Sequence, residues 1–364
     1  MSYFYLVQLY GDVPLYLDEI KDPSTAQQPR APAAEVYAQV KKDLDAAIPL
    51  LPLKSALTGS KNYEKSRPTK GAALALKAEL HLLLEEWQAA ADAAGQVIAS
   101  NQYRHPAADY VKNFQGRDEN GRESVFEIQY TDNALARGSI LNTWYGLPGL
   151  VQGNGRYGSP TTDDTQTVKG RAGATGNGLV QAFEPTDIRK AVAISTYNGA
   201  KNPLDPTQPS FWMCNKYFVG TATLGEARSY VNVPLIRYAK TLLTRAEALN
   251  ELGAANAEAI ALVNGQLRSR AGLPALPATT TGDQAAFRQA IWQERRVELC
   301  FEAQRYFDLL RTGQLLPILE GKQKITINRA RVVRHPVTQK DWYLLPIPQT
   351  EIDNNPLVKQ NPGY

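Results

Sequence analysis

The chain has 364 residues, 43% of them hydrophobic, enough to bury one large core or two ordinary ones. Its net charge of +4 comes from interleaved acidic and basic residues, which argues against the concentrated basic stripe of a nucleic-acid-binding protein. Two cysteines, Cys214 and Cys300, exclude a disulfide framework and a zinc quartet, and no apolar run reaches membrane-spanning length.

The opening MSYFYLVQLYGDVPLYL lacks the basic stretch and small-residue cleavage site of a signal peptide. Tyr3 to Tyr10 reads as the last turns of a helix stopped by Gly11-Asp12, so the chain is expected to lack an amino-terminal part. Pro32 opens a helix carried by Val36, Val40, Leu44, Ile48 and Leu51 and ended by Pro49 and Pro52. A polar loop over 53–68 leads to Thr69, an N-cap for a helix from Lys70 to about Glu85. Trp87 begins its partner, roughly 87–100. Ala78, Trp87 and Ala90 stand at offsets similar to the small and aromatic positions of a tetratricopeptide hairpin. A second such hairpin is expected from Leu242 to Leu252 and, after Gly253, from Ala255 to Arg268. Two hairpins so far apart in sequence must pack on each other or on other helices.

Residues 104–235 have another texture. One strand is expected, Ser124 to about Tyr130, followed by long stretches rich in Gly, Asn, Thr, Pro and aromatics. Further on, Asp283 caps a helix predicted to run from Gln284 to Arg311 with a kink, and Gly313 stops it. Lys324–Ile327 and Trp342–Leu345 are expected to pair as a short ribbon. Asn361-Pro362-Gly363 is a turn signal.

Candidate chemistry falls in three places. Glu294, Glu298 and Glu302 recur every four residues, as a pair of glycosidase carboxylates could. Catalytic carboxylates must nevertheless flank a bond from opposite sides, and Arg295, Arg296, Arg305 and Arg311 are interleaved with these. The spacing predicts a partly buried ion-pair network instead. His81, His105 and His335 share no metal-ligand spacing, and Cys300 sits in a helical, apolar frame as a packed thiol. The third place is the aromatic loops. Flat rings beside amides and guanidinium groups suit the faces and hydroxyls of a sugar, or a peptide side chain. The expected ligand residues are Asn142, Trp144, Tyr145, Asn154, Arg156 and Tyr157 in one segment and Trp212, Asn215 and Tyr217 in another. No catalytic residue, cofactor or metal is expected.

Several stretches in order, among them FYLVQLYGDVPLYL, VPLIRYAKTLLTRAEAL, the ERRVELCFEAQRYFDLLR run and LPIPQTEI ending in QNPGY, resemble the SusD/RagB family. That resemblance implies a mostly α fold, with tetratricopeptide-like hairpins forming an α-α superhelical scaffold, long loops and a short β-ribbon. It implies one SusD-like domain over 1–364. Its scaffold would occupy about 1–103 and 236–315, its ligand-side insertion about 104–235, and its C-terminal ribbon and tail 316–364. It implies a non-enzymatic, cell-surface protein of the outer membrane, lipid-anchored through a segment not in this sequence. Such a protein binds oligosaccharides for import through a TonB-dependent SusC-like barrel. The alternatives are a peptide-binding RagB-like member, a glycoside hydrolase on a helical scaffold, or a tetratricopeptide interaction scaffold without a small ligand.

Overall fold

The computed structural model describes residues 1–22, 25–58, 65–105, 107–116, 118–130, 139, 178–197, 211–217, 231–319, 323–328, 331–336, 343–362 and 364. They divide into two compact units, one made of 1–49 with 305–364 and the other of 50–304.

In the first unit, α1 (Ser2–Tyr10) ends at Gly11, whose amide returns to Val7 O at 2.8 Å. Gly11 has φ 70°, a backbone conformation that favours glycine, and a Cβ there would also push the Leu344 side chain aside from 2.7 Å. Strands β1 (Val13–Pro14) and β2 (Arg30–Ala31) pair antiparallel. Helix α2 (Ala33–Ala47) buries Val36, Val40 and Leu44 at the predicted spacing, and Val36 joins Val7 and Val13 in one cluster. The C-terminal tail explains its own motif. Asn361, 3% exposed, donates to Tyr10 O and Leu345 O and accepts from Arg30 Nη2 at 2.6 Å. Arg30 also donates to the carbonyls of Tyr10, Asp12 and Lys359, so one guanidinium and one amide tie the end of α1 to the tail.

The second unit is built on helices. Thr69 caps α3 (Lys70–Leu83) by accepting from Ala72 N at 3.2 Å. Glu85, with φ 58°, turns the chain into α4 (Trp87–Ala99). The fully buried Ala78 and Ala94 meet with Ala93 between the two helices, the close approach that small residues allow. Gly71 allows another. A Cβ there would lie 2.3 Å from Tyr103 Oη, the hydroxyl that also bonds Thr69 Oγ1 at 2.9 Å. We expect Thr69→Ala to lower stability by about 1–2 kcal/mol, read from the denaturant midpoint, because it removes a cap and leaves the Tyr103 hydroxyl without that partner.

Strand β3 (Ser124–Ile128) pairs antiparallel with β6 (Val233–Arg237). Strands β4 (Ile194–Tyr197) and β5 (Phe211–Cys214) form a second ribbon, with Thr196 opposite Trp212. The sequence reading missed β4, β5 and β6, because strands of four or five residues among glycines and prolines carry little periodicity. Helix α5 (Tyr238–Leu252) packs on α4, so the two hairpins do stack on each other. Its partner begins at Ala257, capped by Asn256, which accepts from the amides of Glu258 and Ala259. That helix widens into π-helix over Ala261–Arg268.

Helix α6 (Gln284–Glu298) begins at the predicted cap, Asp283, which accepts from Ala286 N at 2.7 Å. It does not continue to Arg311. It ends at Leu299, Phe301 and Ala303 adopt positive φ, and α7 (Arg305–Arg311) restarts in the first unit. Glu302 therefore lies beyond the helix on which Glu294 and Glu298 sit. The ribbon is also corrected: β7 (Gln323–Asn328) pairs with β8 (Arg331–Pro336), a nearer strand than Trp342–Leu345. Described elements are mostly helical.

Candidate functional site

A charged lattice fills the middle of the second unit, and Glu298 is its centre. The side chain has no exposed surface. Oε1 accepts from Arg237 Nη1 at 2.9 Å and Arg270 Nη2 at 2.6 Å, and Oε2 accepts from Arg189 Nη1 at 3.0 Å. Arg189 grips Asp187 with Nε and Nη2 and reaches Glu294. Arg237 also bonds Glu123 and Glu302, and Lys216 Nζ lies 2.6 Å from Glu302. Glu123 accepts further from Arg270 Nη1 at 3.0 Å and Asn113 Nδ2 at 2.7 Å. Four cations thus face five carboxylates, and Arg268, 3.7 Å from Glu294, brings the fifth positive charge. Tyr110 and Phe114 lie over the guanidinium and ammonium groups, with Lys216 Nζ 4.3 Å from the Phe114 ring centre.

The lattice sets its own ionisation. Burial alone would push the Glu298 carboxyl up, yet Arg270, Arg237 and Arg189 together hold it well below the usual carboxylate range. Glu123 is likewise held low: Arg270, His105 and Arg237 outweigh its burial. Glu294 goes the other way, because its burial outweighs Arg189. Paired with arginines inside the core, Glu294 and Glu298 cannot flank a sugar bond across a cleft.

This arrangement holds the bases of the aromatic segments. Arg189 lies 12 residues beyond the 140–177 stretch, after the short helix Leu179–Ala182. Lys216 lies between β5 and residue 218, and donates to Glu298 O at 3.0 Å and Cys300 O at 2.9 Å, which caps the end of α6. Asn232 comes just after residue 230 and accepts from Tyr130 N at 2.9 Å, while its amide donates to Glu127 and Gln129.

Of the expected ligand residues, Asn142, Trp144, Tyr145, Asn154, Arg156 and Tyr157 lie outside the described residues. Trp212 is in β5, opposite Thr196. Asn215 fastens this segment: its backbone amide donates to Ala193 O at 2.8 Å and its side chain to Ala191 O at 3.2 Å. Tyr217 is 4% exposed, edge-on to Phe114, and donates to Phe301 O at 3.1 Å, so in this structure it packs the interior. Cys214 and Cys300 are buried thiols pushed up to about 12 and about 11 by desolvation. His81 bonds Glu86, and His105 Nδ1 lies 3.3 Å from Glu123. No group of three metal-ligating side chains gathers among the described residues, and no described helix is long and apolar enough to cross a membrane.

The sequence reading found Glu294, Glu298 and Glu302 and missed the other two carboxylates, Asp187 and Glu123, and the cations Arg189, Lys216, Arg237 and Arg270. One signal was available: in VPLIRYAKTLL, Arg237 and Lys240 interrupt an apolar run, and charges in such a frame are buried only when paired. Lys240 has its own partner, Glu79, at 2.6 Å.

A profile described as "SusD family" matches residues 91–364. The chain belongs to the SusD family. A second profile, described as "Starch-binding associating with outer membrane", matches residues 1–82. SusD-like protein P2 of Formosa agariphila is 29% identical, over 100% of this chain and 72% of its own length. A solved structure of a laminarin binding SusD-like protein is 26% identical, with a TM-score of 0.71, over 100% of this chain and 76% of that one. A SusD superfamily protein from Bacteroides vulgatus has a TM-score of 0.74 at 23% identity, over 100% of this chain and 75% of that one, and shares the fold. In this SusD-family chain the ERRVELCFEAQR stretch supplies Glu294, Glu298 and Glu302 of the lattice, and the VPLIRYAK stretch supplies Arg237.

Proposed function

We propose that this SusD-family chain binds oligosaccharides at the outer face of the outer membrane without cleaving them, and passes them to a SusC-like TonB-dependent barrel. The observation that carries this reading is likeness over the whole chain to a family whose members include a laminarin-binding protein. The charged lattice supports it from the physical side. Acids that could have done hydrolysis are locked to arginines, while stacking rings such as Trp144, Tyr145, Tyr157 and Trp212 suit a sugar. Stacking rings and amides bind a sugar by complementarity, with no bond made or broken.

Affinity electrophoresis against a glycan panel, followed by calorimetry on the hits, tests it. Retardation by at least one glycan, reduced by Trp144→Ala and with no reducing ends released, is the expected result. Binding of oligopeptides but no glycan would move the chain to the peptide-binding reading, and release of reducing ends would overturn the non-enzymatic one.

A further inference from the structure

A pocket of about 330 Å³ opens on the second unit where the π-helix ends, away in sequence from the aromatic loops. That volume is at the small end for ligand sites and suits a single small molecule. Gln266 and Ser269 come from the π-turn and the residue that follows it, Tyr238 from the first turn of α5, and Arg104 and His105 from the chain after α4. Arg270 also lines it. Such widened helical turns recur at functional sites.

The pocket is rich in hydrogen-bond donors. The exposed Arg104 guanidinium makes no ion pair among the described residues, and its backbone amide alone is used, to Arg122 O. The Ser269 hydroxyl, the Gln266 amide and the Tyr238 hydroxyl likewise have no side-chain partner among them. Arg270 commits its Nη atoms to Glu123 and Glu298, and its buried Nε has no partner. His105 spends Nδ1 on Glu123 and Arg270, and its buried Nε2 also has none. Buried polar atoms without a partner are uncommon and call for an explanation. Two of them belong to residues lining one pocket, and no carboxylate is among the described residues that line it.

We infer that this pocket takes a small oxyanion, a carboxylate or sulfate group, carried on a sugar-sized molecule or free. Arg104 supplies the charge, and Ser269, Gln266 and Tyr238 the neutral hydrogen bonds. A charge-assisted bond from guanidinium to oxyanion is about twice as strong as a neutral one, so Arg104 dominates selectivity. The site goes beyond the glycan reading above, because a neutral oligosaccharide held by the loops needs none of these groups.

Calorimetry of the whole chain with glucuronate, glucose, acetate and sulfate tests it. Binding of glucuronate and not glucose is expected, weakened about tenfold or more by Arg104→Gln. Ser269→Ala should weaken it less. The exposed Arg104 side chain makes Arg104→Gln neutral for folding, checked by an unchanged melting curve. Acetate or sulfate binding with the same Arg104 dependence would identify the bare anion as the ligand. Equal binding of glucose and glucuronate, no binding of any anion, or an unaffected Arg104→Gln variant would overturn the proposal. Arg104→Gln should keep its affinity for neutral glycans, so the two sites can fail independently.

Discussion

Glu298→Gln lowers the stability of the chain by about 3–5 kcal/mol, read from the denaturant midpoint. The substitution keeps the shape of the side chain and removes its charge. Three guanidiniums, from Arg189, Arg237 and Arg270, then face one neutral amide, whose NH2 group points a donor at donors. A buried ion network adds little net stability over an apolar core, but breaking one member leaves the others unbalanced inside it. The effect has a definite pH signature. Glu298 and Glu123 are held below their ordinary range. Their contribution is fully present above the unfolded carboxylate value, about pH 4.3, and is lost as pH falls through the folded values. Glu294 is raised, so its contribution has the opposite sign: it is present at low pH and lost as pH rises through the folded value. The gap between the parent chain and Glu298→Gln should therefore be widest near neutral pH and narrow below about pH 4. A hydrolase would instead lose turnover with its stability intact.

Lys216→Met separates the loop bases from the core. One ammonium bridges Glu298 O, Cys300 O and Glu302 Oε1, and methionine satisfies none of them. Glu298 O and Glu302 Oε1 keep Arg237 Nη2 as donor, so the buried acceptor stripped of its side-chain partner is Cys300 O, at about 1–3 kcal/mol. The loss should be felt first around β5 and the turn after α6, where Cys214 and Cys300 lie. In the parent chain both thiols are buried and resist ionisation, so Ellman's reagent should label them only slowly at pH 8. In Lys216→Met labelling should speed up at least tenfold, and amide exchange should rise over residues 211–217. Glycan affinity should fall along with it if those loops hold the ligand. Unchanged labelling would show that Lys216 is not what closes this region.

Much of the helical scaffold was legible in the amino-acid order. Thr69 and Asp283 announced their helices because a cap is a local bond between a side chain and the next turn. Val36, Val40 and Leu44 announced a buried face because helical spacing is local too. Three acidic members of the lattice, Glu294, Glu298 and Glu302, were visible for the same reason, as a four-residue repeat. The break after Glu298 was not, since ERRVELCFEAQR keeps helical periodicity through the turn. What opposes continuation is tertiary: Lys216 takes the carbonyls of Glu298 and Cys300, and Arg237 and Lys216 draw Glu302 into the lattice.

The candidate sites divide along the same line. Aromatic richness between residues 134 and 218 can be read from composition alone, and it directs attention to those loops. The burial of Tyr217 against Phe114 and Phe301 cannot be, because an aromatic in a loop and an aromatic in a core look alike in one dimension. The pocket at the π-turn had no linear signal at all. Its lining residues span positions 103 to 270, and nothing short of folding brings them together. Helix caps, buried faces and family membership depend on neighbours along the chain, so the residue order carried them. Which arginine meets which glutamate, and which donors stay unpaired beside a cavity, depends on contacts more than a hundred residues apart, and only packing in three dimensions selects among those pairings.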